Sequence, residues 1–322
     1  MNPTDLLMYL SGADDQGLYA QADAVRRETF GKATYLHVAV QLSNVCDQAC
    51  RHCALRGENS RLRRFRLSAT QVLDQAAEAI RGGAGTVVLR VGNDPAWTAP
   101  LVSELVREIK VRHDVAVALS LGHRGLDEYA YWKECGADRC RINLETSEPF
   151  QFKRLRQGEH FTGRLHLLGK LHELGYEVGS GVLAGLPGTT PMDSLRDVLF
   201  LAELDLDMIE ITPFVPRPDT PMGGMGPGSV DAAMRMAALL RLLCPTACIP
   251  ATDALDELRP GSRQLALGRG CNAVLPVVGT PLSRLDADPL PEGLGSIRAA
   301  IVRSGLIPSP AKGLVQEGRH VG

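Results

Sequence analysis

Short apolar runs bounded by turn residues recur along this chain, and eight of them read as β-strands. They are residues 37–44 (HVAVQLSN), 86–92 (TVVLRVG), 115–122 (VAVALSLG), 139–145 (RCRINLE), 177–185 (EVGSGVLAG), 208–214 (MIEITPF), 247–252 (ACIPAT) and 273–279 (AVLPVVG). Their apolar positions are nearly continuous, as in strands covered on both faces. Amphipathic stretches fill the intervals. The capping box Ser68-Ala-Thr-Gln71 opens a helix over 69–81. Thr190 followed by Pro191 opens another that runs to about 203. Thr162 is expected to cap a third over 163–174, with Leu165, Leu168, Leu171 and Leu174 along one stripe. Gly82-Gly83, Gly136 and Gly175 mark helix ends. Eight strands alternating with helices predict an α/β fold, a complete (βα)8 TIM-type barrel. The competing doubly wound sheet lacks its GxGxxG turn after the first strand. The expected layout is an N-terminal helical cap (1–36), the barrel (37–280) and a C-terminal extension (281–322) around one helix.

Composition narrows the class. The 322 residues are 44% hydrophobic and 22% charged, with a formal net charge of −2. That balance predicts a globular protein with no nucleic-acid partner, and the basic run Arg61-Leu-Arg63-Arg64-Phe-Arg66 reads as a local feature. No run of eighteen apolar residues and no signal peptide is visible, so a cytoplasmic protein without a membrane partner is expected. Eight cysteines in a reducing compartment point to metal or catalysis rather than disulfides.

Three of those cysteines are Cys46, Cys50 and Cys53, in the stretch CDQACRHC directly after the first strand. In a barrel that places them on the C-terminal face, where the chemistry sits. A structural zinc needs four protein ligands. Three thiolates on a cubane 4Fe-4S cluster leave one iron open to a non-protein ligand. A zinc site that adds His52 or a distant residue is the alternative.

Around this motif the sequence resembles the radical S-adenosylmethionine (SAM) enzymes. It is most similar to the FeFe-hydrogenase maturase group (the E-type maturase), with methylornithine synthase and biotin synthase as nearby relatives. The resemblance runs over about residues 15–280. It is carried by LSNVCDQACRHCALRGENSRLRRFRLS (42–68), ECGADRCRINLETSEP (134–149), ELGYEVGSGVLAGLPGTT (173–190), ELDLDMIEITPFVPRPDTPMG (203–223) and IPATDAL (249–255). It implies a 4Fe-4S cluster whose open iron chelates SAM. Reduction then yields methionine and a 5′-deoxyadenosyl radical that acts on a small-molecule substrate. A reductant such as ferredoxin or flavodoxin is implied as partner.

The resemblance also implies site residues. The turn Gly92-Asn93-Asp94 contacts SAM, with asparagine replacing a charged residue; a plain Asn-Asp-Pro turn also fits. Glu145 and Arg164 hold the methionine part of SAM, although an ion pair at the surface fits each residue too. Met208 matches an adenosine contact, or fills core. His52 stands where relatives carry an aromatic residue, so it shields the cluster, tunes it or packs. The substrate half is altered. Asn143 replaces an arginine, Ala118 a threonine, and His123, after Ser120-Leu-Gly122, a glutamate. Thr212 and Thr252 remain as polar candidates. The maturase reading is therefore joined by an alternative. In that alternative the enzyme is an amino-acid mutase or modifying enzyme of the methylornithine synthase type, with a different small substrate.

The remaining cysteines predict no second cluster. Cys140 has the opposite parity to Glu145 and should face the helices. Cys244, Cys248 and Cys271 fall at the N-terminal ends of strands, Cys135 ends a helix, and residues 280–322 contain no cysteine.

Overall fold

The computed structural model describes residues 2–278 and 293–312. The chain opens with two helices, α1 (Pro3–Ser11) and α2 (Asp15–Phe30). The barrel follows as β1 (Ala33–Gln41), α3 (Ala69–Arg81), β2 (Thr86–Arg90), α4 (Ala99–Arg112), β3 (Ala116–Ser120), α5 (Leu126–Glu134), β4 (Arg139–Arg141), α6 (Pro149–Leu155), α7 (Phe161–Glu173) and β5 (Glu177–Ala184). It continues through α8 (Pro191–Glu203), β6 (Met208–Pro213), α9 (Val230–Leu243), β7 (Pro250–Ala251), α10 (Asp253–Leu258), α11 (Ser262–Leu267), β8 (Ala273–Val274) and β9 (Val277–Val278). The last described elements are α12 (Leu294–Arg303) and β10 (Ile307–Ser309). The expected boundary between barrel and C-terminal extension, near residue 280, lies outside the described residues.

The strands are parallel and ordered β6-β5-β4-β3-β2-β1-β8-β7. A bridge between Met208 and Cys248 joins the two ends. There Ile209 N–H donates to the Cys248 carbonyl at 2.9 Å and Cys248 N–H to the Asp207 carbonyl at 2.8 Å. The result is the expected eight-strand barrel, nearly closed.

Side-chain alternation sorts the strand residues into two layers. Val38, Val40, Val87, Leu89, Val117 and Leu119 join the large core under the helices. Ala39, Val88, Ala118, Leu275 and Val277 form a separate small apolar layer inside the barrel. Cys140 belongs to the outer layer, as its parity predicts.

Two predicted helices hold to the residue. The Ser68–Gln71 capping box is formed in both directions, and Thr190 caps α8 through Asp193. Elsewhere the boundaries shift. Thr162 is not a cap: α7 begins at Phe161, with His160 in the cap position and no side-chain bond. Phe161 packs against Phe152 and Phe200, with ring centroids 5.4 and 5.8 Å away, and this draws it into the first turn. The first strand starts at Ala33, inside the expected cap, because β10 pairs with it from Ala33 to Tyr35. The seventh strand shrinks to Pro250–Ala251. The eighth breaks at Leu275-Pro276, since proline has no N–H for the ladder. The Pro276 carbonyl still accepts from Ala39 N–H at 2.8 Å. Helices α1 and α2 lie along α8 and α9, where Arg235 grips Asp15 with bonds of 2.6 and 2.9 Å. No helix among the described residues is long and apolar enough to cross a membrane.

Candidate active site

The loop after β1 is built around Arg64. Its guanidinium donates to the carbonyls of Asn44 (2.6 Å), Leu55 (2.9 Å), Arg56 (2.7 Å) and Asn59 (3.2 Å). Asn44 clasps the returning strand, donating to the Arg63 carbonyl and accepting from Phe65 N–H. One side chain from the basic run thus closes the loop that carries all three motif cysteines. Arg66 closes the far side: it grips Asp94, which also accepts from Ser43 Oγ at 2.6 Å.

Cys46, Cys50 and Cys53 edge a cavity of about 810 Å³ at the mouth of the barrel. Its wall also holds His52, Gly92, Asn93, Ser120, His123, Asn143, Glu145, Arg164, Thr212 and Thr252. Most of the predicted site residues therefore share one space. Gly92 comes so close to the loop that a Cβ built on it meets Cys46 Cβ at 2.7 Å and Sγ at 3.0 Å. Asn93 N–H donates to Cys46 Sγ at 3.3 Å, and its side chain donates to Asp47 at 2.7 Å while accepting from His123 N–H. Burial pushes the Cys50 thiol up to about 12 and raises that of Cys53. Both are thus neutral until a metal displaces their protons. Among the described residues no set of three ligating side chains could hold a single metal ion. The three thiols border a common space instead, which suits a cluster in which each thiolate meets its own iron.

Glu145 sits beyond β4 with φ 67°, a left-handed conformation uncommon for a non-glycine residue. Its N–H donates to the Gly181 carbonyl and its carbonyl accepts from Leu183 N–H, which fix that turn. The carboxylate accepts from Arg156 at 2.7 Å and lies 3.8 Å from His52 Nε2. Burial opposes its ionisation, but the guanidinium groups of Arg156, Arg164 and Arg141 favour the carboxylate, and its pKa lies below the usual range. Burial lowers the pKa of His52 despite the nearby Glu145, so its ring is neutral at pH 7. Arg164 donates to Glu159 at 2.6 Å and to the Asn143 carbonyl at 2.7 Å. Glu159 also takes Arg156 at 3.1 Å. Two carboxylates and two guanidinium groups thus form one buried chain beside the cysteines. Nothing in the sequence pattern singles out Arg156 and Glu159, because they meet their partners only when α6 and α7 fold together.

Three expected contacts lie elsewhere. Asp94 is fully buried behind the wall, committed to Ser43 and Arg66, and does not border the cavity. Met208 opens β6 at the opposite end of the barrel, with its Cε 2.8 Å from where a Gly179 Cβ would stand. As the first residue of a parallel strand it cannot reach the cysteine mouth. Ala118 lies in the inner apolar layer beneath the cavity. Deeper in the barrel the wall carries Arg90, Arg141 and Glu210. Arg141 pairs with Glu210, which also accepts from Thr212 Oγ1 at 3.0 Å. These three do carry a signal in the sequence: each is a charged residue of inward parity in an apolar strand. Cys135, Cys140 and Cys271 lie in the outer core, and Cys248 is 4.0 Å from His37 at the barrel floor.

The model of the radical SAM superfamily matches residues 40–213, more than half of the chain. The chain belongs to that superfamily and is a radical SAM enzyme, of a class that works through a 4Fe-4S cluster and SAM. It is 40% identical over 262 residues to the FeFe hydrogenase maturase HydE of Thermotoga maritima, a match that covers 81% of this chain and 75% of that one. It is 26% identical over 291 residues to the 3-methylornithine synthase of Methanosarcina barkeri, covering 89% and 82% of the two chains. A crystal structure of methylornithine synthase superposes with a TM-score of 0.85 at 25% identity, over 96% of this chain and 94% of that one.

Proposed function

We propose that Cys46, Cys50 and Cys53 hold the 4Fe-4S cluster, and that the protein acts on a small substrate in the barrel as a hydrogenase maturase of the HydE type. The observation that carries this is the shared cavity: three thiols, a buried carboxylate and two arginines border one space that continues into the barrel. Held by these three cysteines, a reduced 4Fe-4S cluster would supply the single electron for reductive cleavage of SAM to methionine and a 5′-deoxyadenosyl radical.

The chain's own residues supply position and electrostatics. Glu145 is ionised and anchored by Arg156, so it can accept a hydrogen bond from the amino group of SAM. Arg164, held in place through Glu159, the Asn143 carbonyl and Phe152, borders the cavity and can offer its Nη2 to the SAM carboxylate. Asn93 and Gly92 line the cluster side, and the neutral ring of His52 packs beside Cys53 without adding charge. Asn143, Ser120, Thr212 and Thr252 line the substrate half. We place the protein in the cytoplasm, with ferredoxin or flavodoxin as electron donor.

A second reading is an amino-acid mutase or modifying enzyme of the methylornithine synthase type. The near-complete superposition on that enzyme favours it. Both readings are tested by incubating reconstituted, reduced protein with SAM and either lysine or cysteine-derived candidates, then weighing the products. A product from the cysteine-derived set supports the maturase reading; one from lysine supports the other. Absence of 5′-deoxyadenosine with every candidate contradicts both.

A further inference from the structure

Among the described residues six arginines border the cavity, and five of them are engaged by acids in the same wall. Arg156 and Arg164 belong to the chain with Glu145 and Glu159. Arg141 holds Glu210, Arg217 holds Glu257, and Arg263 holds Asp253 at 2.7 Å. Arg90 is the exception. Among the described residues its guanidinium has no hydrogen-bond or ion-pair partner.

Arg90 is the last residue of β2, two residues before Gly92 on the same face. At about 3.3 Å per residue it sits roughly 7 Å below the point where Gly92 touches Cys46. That depth suits a substrate group rather than the cluster. Burial, with Arg141 nearby, lowers the pKa of Arg90, although Glu210 and Asp253 partly offset this. Glu210 is already taken by Arg141 and Thr212, and Asp253 by Arg263. A second group in this cavity is also unsatisfied. Thr252 is 6% exposed, and its Oγ1 is buried without a partner. Arg90 is half-buried and borders the cavity, and the Thr252 hydroxyl is buried, so a ligand entering this space meets a guanidinium and a hydroxyl that no described residue engages.

We propose that Arg90 is the anion clamp of the substrate half, receiving a substrate carboxylate with Thr252 lining the same pocket. The inference rests on the function proposed above and names the substrate class: a small carboxylic acid bound by its carboxylate. A guanidinium fork matches a carboxylate bidentately. One unpaired cation balances one negative charge, so a monoanionic carboxylate fits better than a phosphate dianion.

The test uses crystals of cluster-loaded, SAM-bound protein soaked in sodium bromide. An anomalous bromide peak should appear at Arg90. A tenfold excess of acetate should remove it, and the same concentration of acetamide should leave it. In Arg90→Gln the peak should be lost, while the melting temperature should stay level or rise, because no ion pair is broken and a charge beside Arg141 is removed. No peak at Arg90 in the wild type, equal displacement by acetate and acetamide, or a peak that survives in Arg90→Gln would overturn the proposal. A clear fall in the melting temperature of Arg90→Gln would do the same, since it would make the residue structural. Cluster and SAM density in the same crystals report on the proposed function separately, so either idea can fail alone.

Discussion

Gly92 lies against Cys46 so closely that its hydrogen occupies the only space available: a methyl group there would stand 2.7 Å from Cys46 Cβ. Real contacts do not reach that distance, so Gly92→Ala must push the cysteine loop away from β2. The variant should fold, since the outer core is untouched, but lose iron. Iron and sulfide content after anaerobic reconstitution should fall below about half of the wild-type value. Full occupancy would show that the loop adapts and that the glycine is dispensable.

Arg64 is bonded to four carbonyls of that loop, two of them in the segment just after the third motif cysteine. Arg64→Ala leaves these acceptors to water and releases the loop. A stability loss of roughly 2–4 kcal/mol is expected. The loss should be smaller in cluster-loaded protein than in the metal-free form, because ligation holds the same loop. Denaturant unfolding of both forms checks this.

Breaking the Arg156–Glu145 pair from one side should be costly. Arg156→Gln leaves a buried carboxylate short of its main partner, for a loss of about 3–5 kcal/mol. It should also raise the Glu145 pKa. The double variant Arg156→Gln/Glu145→Gln should recover part of the stability, because no lone charge remains. Unfolding free energies of the two single variants and the double variant form the cycle that decides it.

Asp94 adds a pH-dependent contribution. Burial works against its ionisation, but bonds from Arg66 and Ser43 outweigh this and depress its pKa. Its stabilising contribution is therefore fully present above the ordinary aspartate value. It is lost as the pH falls through the depressed folded-state value. Asp94→Asn should destabilise the protein at neutral pH, and the difference from wild type should shrink under strongly acidic conditions. A pH-independent difference in melting temperature would contradict the linkage.

Much of the site is legible in the sequence because strand parity and the barrel rule act locally. The spacing of Cys46, Cys50 and Cys53 and the inward parity of Asn143 and Glu145 place these residues on one mouth. Parity also puts Cys140 on the outside. What escapes depends on contacts between distant segments. The turn at Gly92-Asn93-Asp94 reads as one unit, yet its three residues separate. The glycine meets Cys46, the asparagine faces the cavity, and Asp94 turns back to Arg66. Met208 is suggested by resemblance alone, against the rule that the first residue of a strand lies far from the mouth. Arg90 is visible as an inward charge, but it gains meaning only when every other arginine in the wall is found to have a partner.

EPR of anaerobically reconstituted, dithionite-reduced protein, recorded with and without SAM, tests most directly whether three thiolates hold a cluster whose fourth iron is left for SAM. The expected result is a 4Fe-4S signal whose shape changes when SAM is added. Protein that takes up zinc in place of the cluster, or a signal indifferent to SAM, would contradict it.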